Sequence, residues 1–198
     1  MSVLRSVFIF IGLALVCLLI QFSSASFAGG LQFDRAAIGA GQWWRIISGH
    51  LVHLSLYHLL LNLCGLALVA YIADHRYPLL TLIAMFWLLL ADGLSLYWFA
   101  PDLLIYVGLS GALHGALLIA IWYSPFYSRR VVWVTVAIVI GKVLWEQSPM
   151  YDDLAMASWL GGRVETRAHL FGVLAGILWI VVAGIQQAVR KEHDSEAR

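Results

Sequence analysis

Polar and ionisable side chains inside an apolar chain are costly unless satisfied, so their positions mark where chemistry is possible. Ser110 stands between glycines in YVGLSGALHGALLIA, residues 106–120. A serine hydroxyl becomes a nucleophile when a base takes its proton, and histidine suits that task near neutral pH. His169 lies in TRAHLFGVLAG, and His50, His53 and His58 lie in ISGHLVHLSLYHLLLN, which closes on Asn62. Ser55 is placed to cap a helix in which His58 and Asn62, four residues apart, share one face. His58, the Asn62 amide and the Ser110 backbone N–H are candidate donors for the oxyanion of a tetrahedral intermediate.

Gly108, Gly111 and Gly115 weaken a helix by about 1 kcal/mol each. They also permit a tight turn at Ser110 and close approach of two helices. Gly111 with Gly115, and Gly172 with Gly176, form GxxxG pairs that are expected to join their two segments and set Ser110 beside His169. Plainer readings stand beside these. Ser110 can be a small packing residue, and His58 and Asn62 can simply hydrogen-bond a neighbouring helix.

The elements that must hold these residues are apolar spans. Of 198 residues, 62% are hydrophobic and 12% charged, and mean hydropathy is +0.87. Soluble domains carry about 25% charged residues, so the sequence reads as one all-α integral membrane domain over residues 1–198. Six segments approach the roughly 20 apolar residues a crossing needs: Val7–Ser24, Ser55–Ala73, Leu79–Phe99, Leu109–Tyr123, Val131–Trp145 and Ala168–Ala188. With both termini cytoplasmic, the inner segments hold Arg5, Arg76, Arg129, Arg130, Arg190, Lys191 and Arg198, against Arg35, Arg45, Arg163 and Arg167 outside. That bias favours N-in, C-in, and it brings Ser110, His58, Asn62 and His169 to similar depths in the outer leaflet. Arg5, the apolar run and SSASFA also resemble a cleavable secretory signal; six spans fit the charge bias better.

A net charge of +1 gives no electrostatic basis for nucleic-acid binding. No metal or cofactor is expected: His53 and His58 are five apart, a poor helical spacing, and no HExxH occurs. No repeat suggests a transporter. Cys17 and Cys64 read as apolar filler. His53 is expected to be structural, His50, His75 and His193 interfacial or solvated, and the segment from Gln186 to Arg198 a solvated end. Lys142 and Glu146 read as an ion pair near the outer end of the fifth span, and Asp92 has no legible partner.

With these residues in view, the sequence resembles the rhomboid family of intramembrane serine proteases. The resemblance is carried, in order, by WWR (Trp43–Arg45), HLSLYHLLLN (His53, His58, Asn62), GLSG (Gly108–Gly111) and AHLFGVLAG (His169, Gly172, Gly176). It implies a six-helix bundle and a Ser110–His169 dyad without an aspartate, with His58 and Asn62 in the oxyanion hole. It also implies a membrane-embedded lateral loop over Ser26–Leu54 carrying Trp44 and Arg45, and a fifth helix that gates substrate. Many bacterial members carry a tyrosine where this chain has His114, which is expected to stack on His169 or hydrogen-bond to it. GLSGALHG and KVLWEQ instead resemble the rhombosortase branch. That branch implies a Gram-negative inner membrane and membrane-anchored substrates with a C-terminal Gly-Gly motif, a transmembrane helix and a basic cluster.

Overall fold

The computed structural model describes residues 2–196, with side-chain surroundings from residue 6 to 187. Six long helices build it: α1 (Ser2–Gln21), α5 (Leu56–Ile72), α6 (Pro78–Phe99), α7 (Ser110–Tyr123), α8 (Arg129–Glu146) and α10 (Thr166–Glu196). Between α1 and α5 the chain forms short helices α2 (Ala25–Leu31), α3 (Arg35–Gly39) and α4 (Arg45–Ser48), then a 3₁₀ turn at Gly49–Leu51. A further short helix, α9 (Ala157–Leu160), joins α8 to α10. Four helix starts have a local cause. Ser24 Oγ accepts from Phe27 N–H, Asp34 from Ala37 N–H and Ser55 Oγ from His58 N–H, while Pro78 opens α6, where its missing N–H costs nothing.

Among the described residues, two helices are long and apolar enough to cross a membrane alone, Pro78–Phe99 and Thr166–Gln187. A third crossing arises if Arg45–Leu51 and Leu56–Ile72, bent by 96°, act as one broken span. The helix α7 has 14 residues, so it is about 21 Å long against an apolar core of about 30 Å. It packs at the centre of the bundle, where Leu113, Ala116, Ala120 and Ile121 join Leu66, Val69, Met85 and Leu88 in the largest core cluster. Helix α1 joins this core through Phe10, and Ser6 Oγ donates to the His75 carbonyl at 3.1 Å. Cys17 is buried, Cys64 exposed, and both are free thiols. Helix α10 continues to Glu196; the side chains of the charged end, His193 included, lie outside the described residues.

The segment that the resemblance assigned to a lateral loop is pinned by polar contacts rather than left irregular. Strands β1 (Phe33–Asp34) and β2 (Ile105–Tyr106) pair antiparallel, Phe33 opposite Tyr106. Arg35 donates to the carbonyls of Tyr97 (2.8 Å), Leu96 (3.0 Å), Ala100 (2.6 Å) and Leu103 (2.7 Å). It thereby ties the last turn of α6, where helix carbonyls run out of intrahelical partners, to the loop that follows it. Arg45, only 8% exposed, donates to the Gly29 and Gln32 carbonyls, both at 2.8 Å, and to Gln42 Oε1 at 2.7 Å. Trp44 stays exposed and donates from Nε1 to the Gly30 carbonyl at 3.3 Å.

His50 departs from the expectation of an interfacial or solvated residue. The 3₁₀ turn folds it inward, so the ring is fully buried, edge-on to Tyr106 with centroids 5.3 Å apart. Its Nδ1 lies 3.8 Å from Asp92 Oδ2, beyond hydrogen-bond distance.

The glycine seam between α7 and α10 fixes their approach. A Cβ on Gly176 would sit 2.8 Å from the Gly115 carbonyl oxygen, and one on Gly172 would collide with the Gly111 carbonyl. Trp87 of α6 closes the same region, its Nε1 donating to the Ala175 carbonyl at 3.1 Å. Gly172→Ala is therefore expected to destabilise the protein by about 1–3 kcal/mol through overpacking against backbone. Thermal or denaturant unfolding in detergent micelles reads this, with Gly184→Ala, whose Cβ meets nothing within 4 Å, as the neutral comparison.

Candidate active site

Ser110 is the first residue of α7. Leu109 before it provides no side-chain cap, and the first intrahelical bond runs from Leu113 N–H to the Leu109 carbonyl at 3.0 Å. The N–H groups of the first turn are thus free to face a ligand, and the helix dipole adds positive potential there. The preceding Gly108 has φ +121°, a conformation side chains resist. It brings the strand β2 round so that Ser110 points back toward α10. The turn is held by Tyr106, whose hydroxyl donates to the Gly108 carbonyl at 2.6 Å, and by the Gly108 N–H, which donates to the Gly49 carbonyl at 3.3 Å.

Ser110 Oγ and His169 Nε2 are 2.9 Å apart. The His169 ring, 5% exposed, stacks on His114 with centroids 4.3 Å apart and planes inclined by 27°. Of the two expected arrangements for His114, stacking is the one observed. Its hydrogen bonds go elsewhere: Nδ1 lies 2.7 Å from the Ser110 carbonyl oxygen and Nε2 lies 2.8 Å from Lys142 Nζ. A carbonyl only accepts and an ammonium only donates. His114 therefore carries its proton on Nδ1, and it ties the base stack to the backbone of Ser110.

His58 and Asn62 line the same cavity as Ser110, His114, Lys142 and His169, a space of about 270 Å³ closed above by Leu160 and Val164. His58 Nδ1 accepts from Leu54 N–H at 3.4 Å. In the neutral ring the proton is then on Nε2, the side that packs against Gly108, where an added Cβ would lie 2.9 Å away. Asn62 Nδ2 donates to the His58 carbonyl at 3.0 Å, which fixes the amide's orientation and leaves one N–H free.

Other sequence candidates stay out of this cavity. Trp44 and Arg45 brace the segment between α1 and α5. Gly172 and Gly111 act through the helix seam. His53 is buried beside His58, ring centroids 5.2 Å apart, in keeping with a structural role.

Two residues reach further than their spacing suggested. Lys142 Nζ and Glu146 Oε1 are paired at 2.8 Å on α8, as expected, but Glu146 Oε2 also lies 2.8 Å from His169 Nδ1. Their four-residue spacing was a legible sign of a shared face; nothing in the sequence said that this face meets α10. His114, Glu146 and His169 bring three ligand-type atoms within 4.8 Å of one another. Lys142 Nζ already stands among them, 2.8 Å from His114 Nε2 and 3.3 Å from His169 Nδ1. An ammonium group thus occupies the position a metal ion would take.

This geometry meets an independent finding. A family model described as the rhomboid domain matches residues 40–186, which is most of the chain. The chain belongs to the rhomboid family, whose members are intramembrane serine proteases that act on membrane proteins within the bilayer. No curated protein matches it.

Gly108→Ala is expected to destabilise the chain by about 1–3 kcal/mol, because a Cβ at that φ is strained and meets the His58 ring. Unfolding midpoints in micelles, set beside Gly141→Ala at an unobstructed position, measure the difference.

Proposed function

We propose that the protein is an intramembrane serine endopeptidase in which Ser110 is the nucleophile and His169 the general base. The carrying observation is the 2.9 Å contact between Ser110 Oγ and His169 Nε2 at the uncapped start of α7. Ser110 Oγ bonds to the scissile carbonyl carbon as its proton passes to His169 Nε2, and the carbonyl electron pair moves onto oxygen. The Ser110 N–H, His58 Nε2–H and the free Asn62 N–H stabilise that oxyanion. Collapse breaks the carbon–nitrogen bond, with the Nε2 proton leaving on the amine. Water then attacks the acyl-enzyme and restores the serine.

The proposed topology has six spans, α1, α5, α6, α7, α8 and α10, with both termini cytoplasmic. With α7 upright and its inner end at the inner boundary of the apolar core, its 14 residues would leave Ser110 roughly 9 Å below the outer boundary, and the proposed cleavage site faces the periplasm of a Gram-negative inner membrane. The proposed substrates are membrane-anchored proteins ending in a Gly-Gly motif, a transmembrane helix and a basic cluster, as in the rhombosortase branch. Glycines near the scissile bond favour this class, because a peptide must leave its helix to reach Ser110 and glycine lowers that cost by about 1 kcal/mol per residue.

Co-expression with a substrate bearing such a tail tests the reading, comparing wild type with Ser110→Ala and His169→Ala. Wild type alone is expected to release the tail. Cleavage of a general rhomboid substrate but not of this tail would move the protein to a broader substrate class. Cleavage of neither, in a folded protein, would make it a rhomboid-like binder of membrane partners. Within the active enzyme, Asn62→Ala is expected to lower kcat/KM by about 10²–10³-fold, the usual cost of one oxyanion donor.

A further inference from the structure

We propose that Glu146 completes the Ser110–His169 pair into a Ser–His–Glu triad, with Lys142 as the counter-ion of its carboxylate. This rests on the reading of Ser110 as nucleophile and goes beyond a two-residue mechanism. Glu146 is a positioning residue: it touches the base and not the substrate.

The assignment follows from donors and acceptors. Glu146 Oε2 is 2.8 Å from His169 Nδ1, closer than the Lys142 ammonium at 3.3 Å, which Glu146 itself holds through Oε1, and an ionised carboxylate only accepts. Neutral His169 therefore carries its proton on Nδ1. Its Nε2 is left with a free lone pair, aimed at the Ser110 hydroxyl 2.9 Å away. That is the tautomer a general base requires. The opposite tautomer would set the Nδ1 lone pair against the carboxylate and point an N–H at the serine. When the Ser110 proton moves to Nε2, the imidazolium keeps its Nδ1–H on Glu146 and its charge faces the carboxylate. The same proton then leaves on the amine, and Glu146 takes none, in the division of roles known from serine triads.

Lys142 makes this carboxylate tolerable. Glu146 is 7% exposed, and an unpaired charge at such a site costs several kcal/mol. Lys142 Nζ neutralises it from 2.8 Å on Oε1, leaving Oε2 for the base. The same ammonium donates to His114 Nε2 at 2.8 Å, and His114 stacks on His169. The ring is thus held by its face and by its Nδ1 edge at once. The titratable groups around it are His114 of α7, Lys142 and Glu146 of α8, His58 of α5 and Glu165 just before α10.

The test uses the purified full chain in micelles and a fluorophosphonate probe, whose phosphorus bonds to an activated serine oxygen as fluoride leaves. The expected result for Glu146→Gln is a labelling rate constant lowered about 10²–10⁴-fold with probe affinity nearly unchanged. In protein carrying ¹⁵N-labelled histidine, the low-field Nδ1–H resonance of His169 should be present in wild type and absent from Glu146→Gln. A folded Glu146→Gln chain that labels at the wild-type rate overturns the triad. If Glu146→Gln fails to fold, the Lys142→Met/Glu146→Gln double variant removes the pair together, and wild-type labelling by that variant also overturns it. Absence of labelling in wild type, equal to Ser110→Ala, overturns the serine reading beneath the proposal and the triad with it.

Discussion

Everything at the site depends on how closely α7 and α10 approach. Where Gly111 and Gly115 face Gly172 and Gly176, each helix backbone serves as the other's contact surface. Two helices that carried side chains along this line would stand 8–10 Å apart or more in the usual way. A serine on one would then miss a histidine on the other. Within the membrane no hydrophobic drive separates helix from lipid, so small residues and backbone contact are the means by which such proximity is held. The 2.9 Å between Ser110 and His169 is a consequence of that seam.

A second constraint is the treatment of polar groups in an apolar chain. Arg45 buries its guanidinium group against the Gly29 and Gln32 carbonyls, and the half-buried Arg35 gathers carbonyls at the end of α6 and in the loop beyond it. Around the base, one ammonium, one carboxylate and two imidazoles form a connected set, in which the Ser110 carbonyl fixes the tautomer of His114 and the nearer of two neighbours, the Glu146 carboxylate, fixes that of His169. Asp92 and His50 are the contrast. They lie 3.8 Å apart with no hydrogen bond, fully buried beneath the start of α7, and their function is not contained in the catalytic geometry.

Much of the arrangement was legible in the residues. Ser55 as a cap, His58 and Asn62 on one face and the two GxxxG segments rest on local rules, a spacing of four and the properties of glycine and serine, and the expectation of Ser110 beside His169 followed from joining those segments. His50 was misjudged because its burial comes from a 3₁₀ turn folding under neighbouring elements, which no local pattern encodes. The partners of Arg45 were not legible for a related reason: only the path of residues 29–42 surrounds it with carbonyls.

By itself the sequence determined the class of molecule, the long apolar helices, their caps and the pairing of small residues, because each depends on neighbours within about one helical turn. Only the tertiary structure decided that Glu146 meets His169, that Lys142 serves His114 as well as Glu146, and that His114 stacks on the base. Those contacts join residues 23, 28 and 55 positions apart on different helices. They depend on the rotation of α8 about its axis and on its height against α10, and packing sets both.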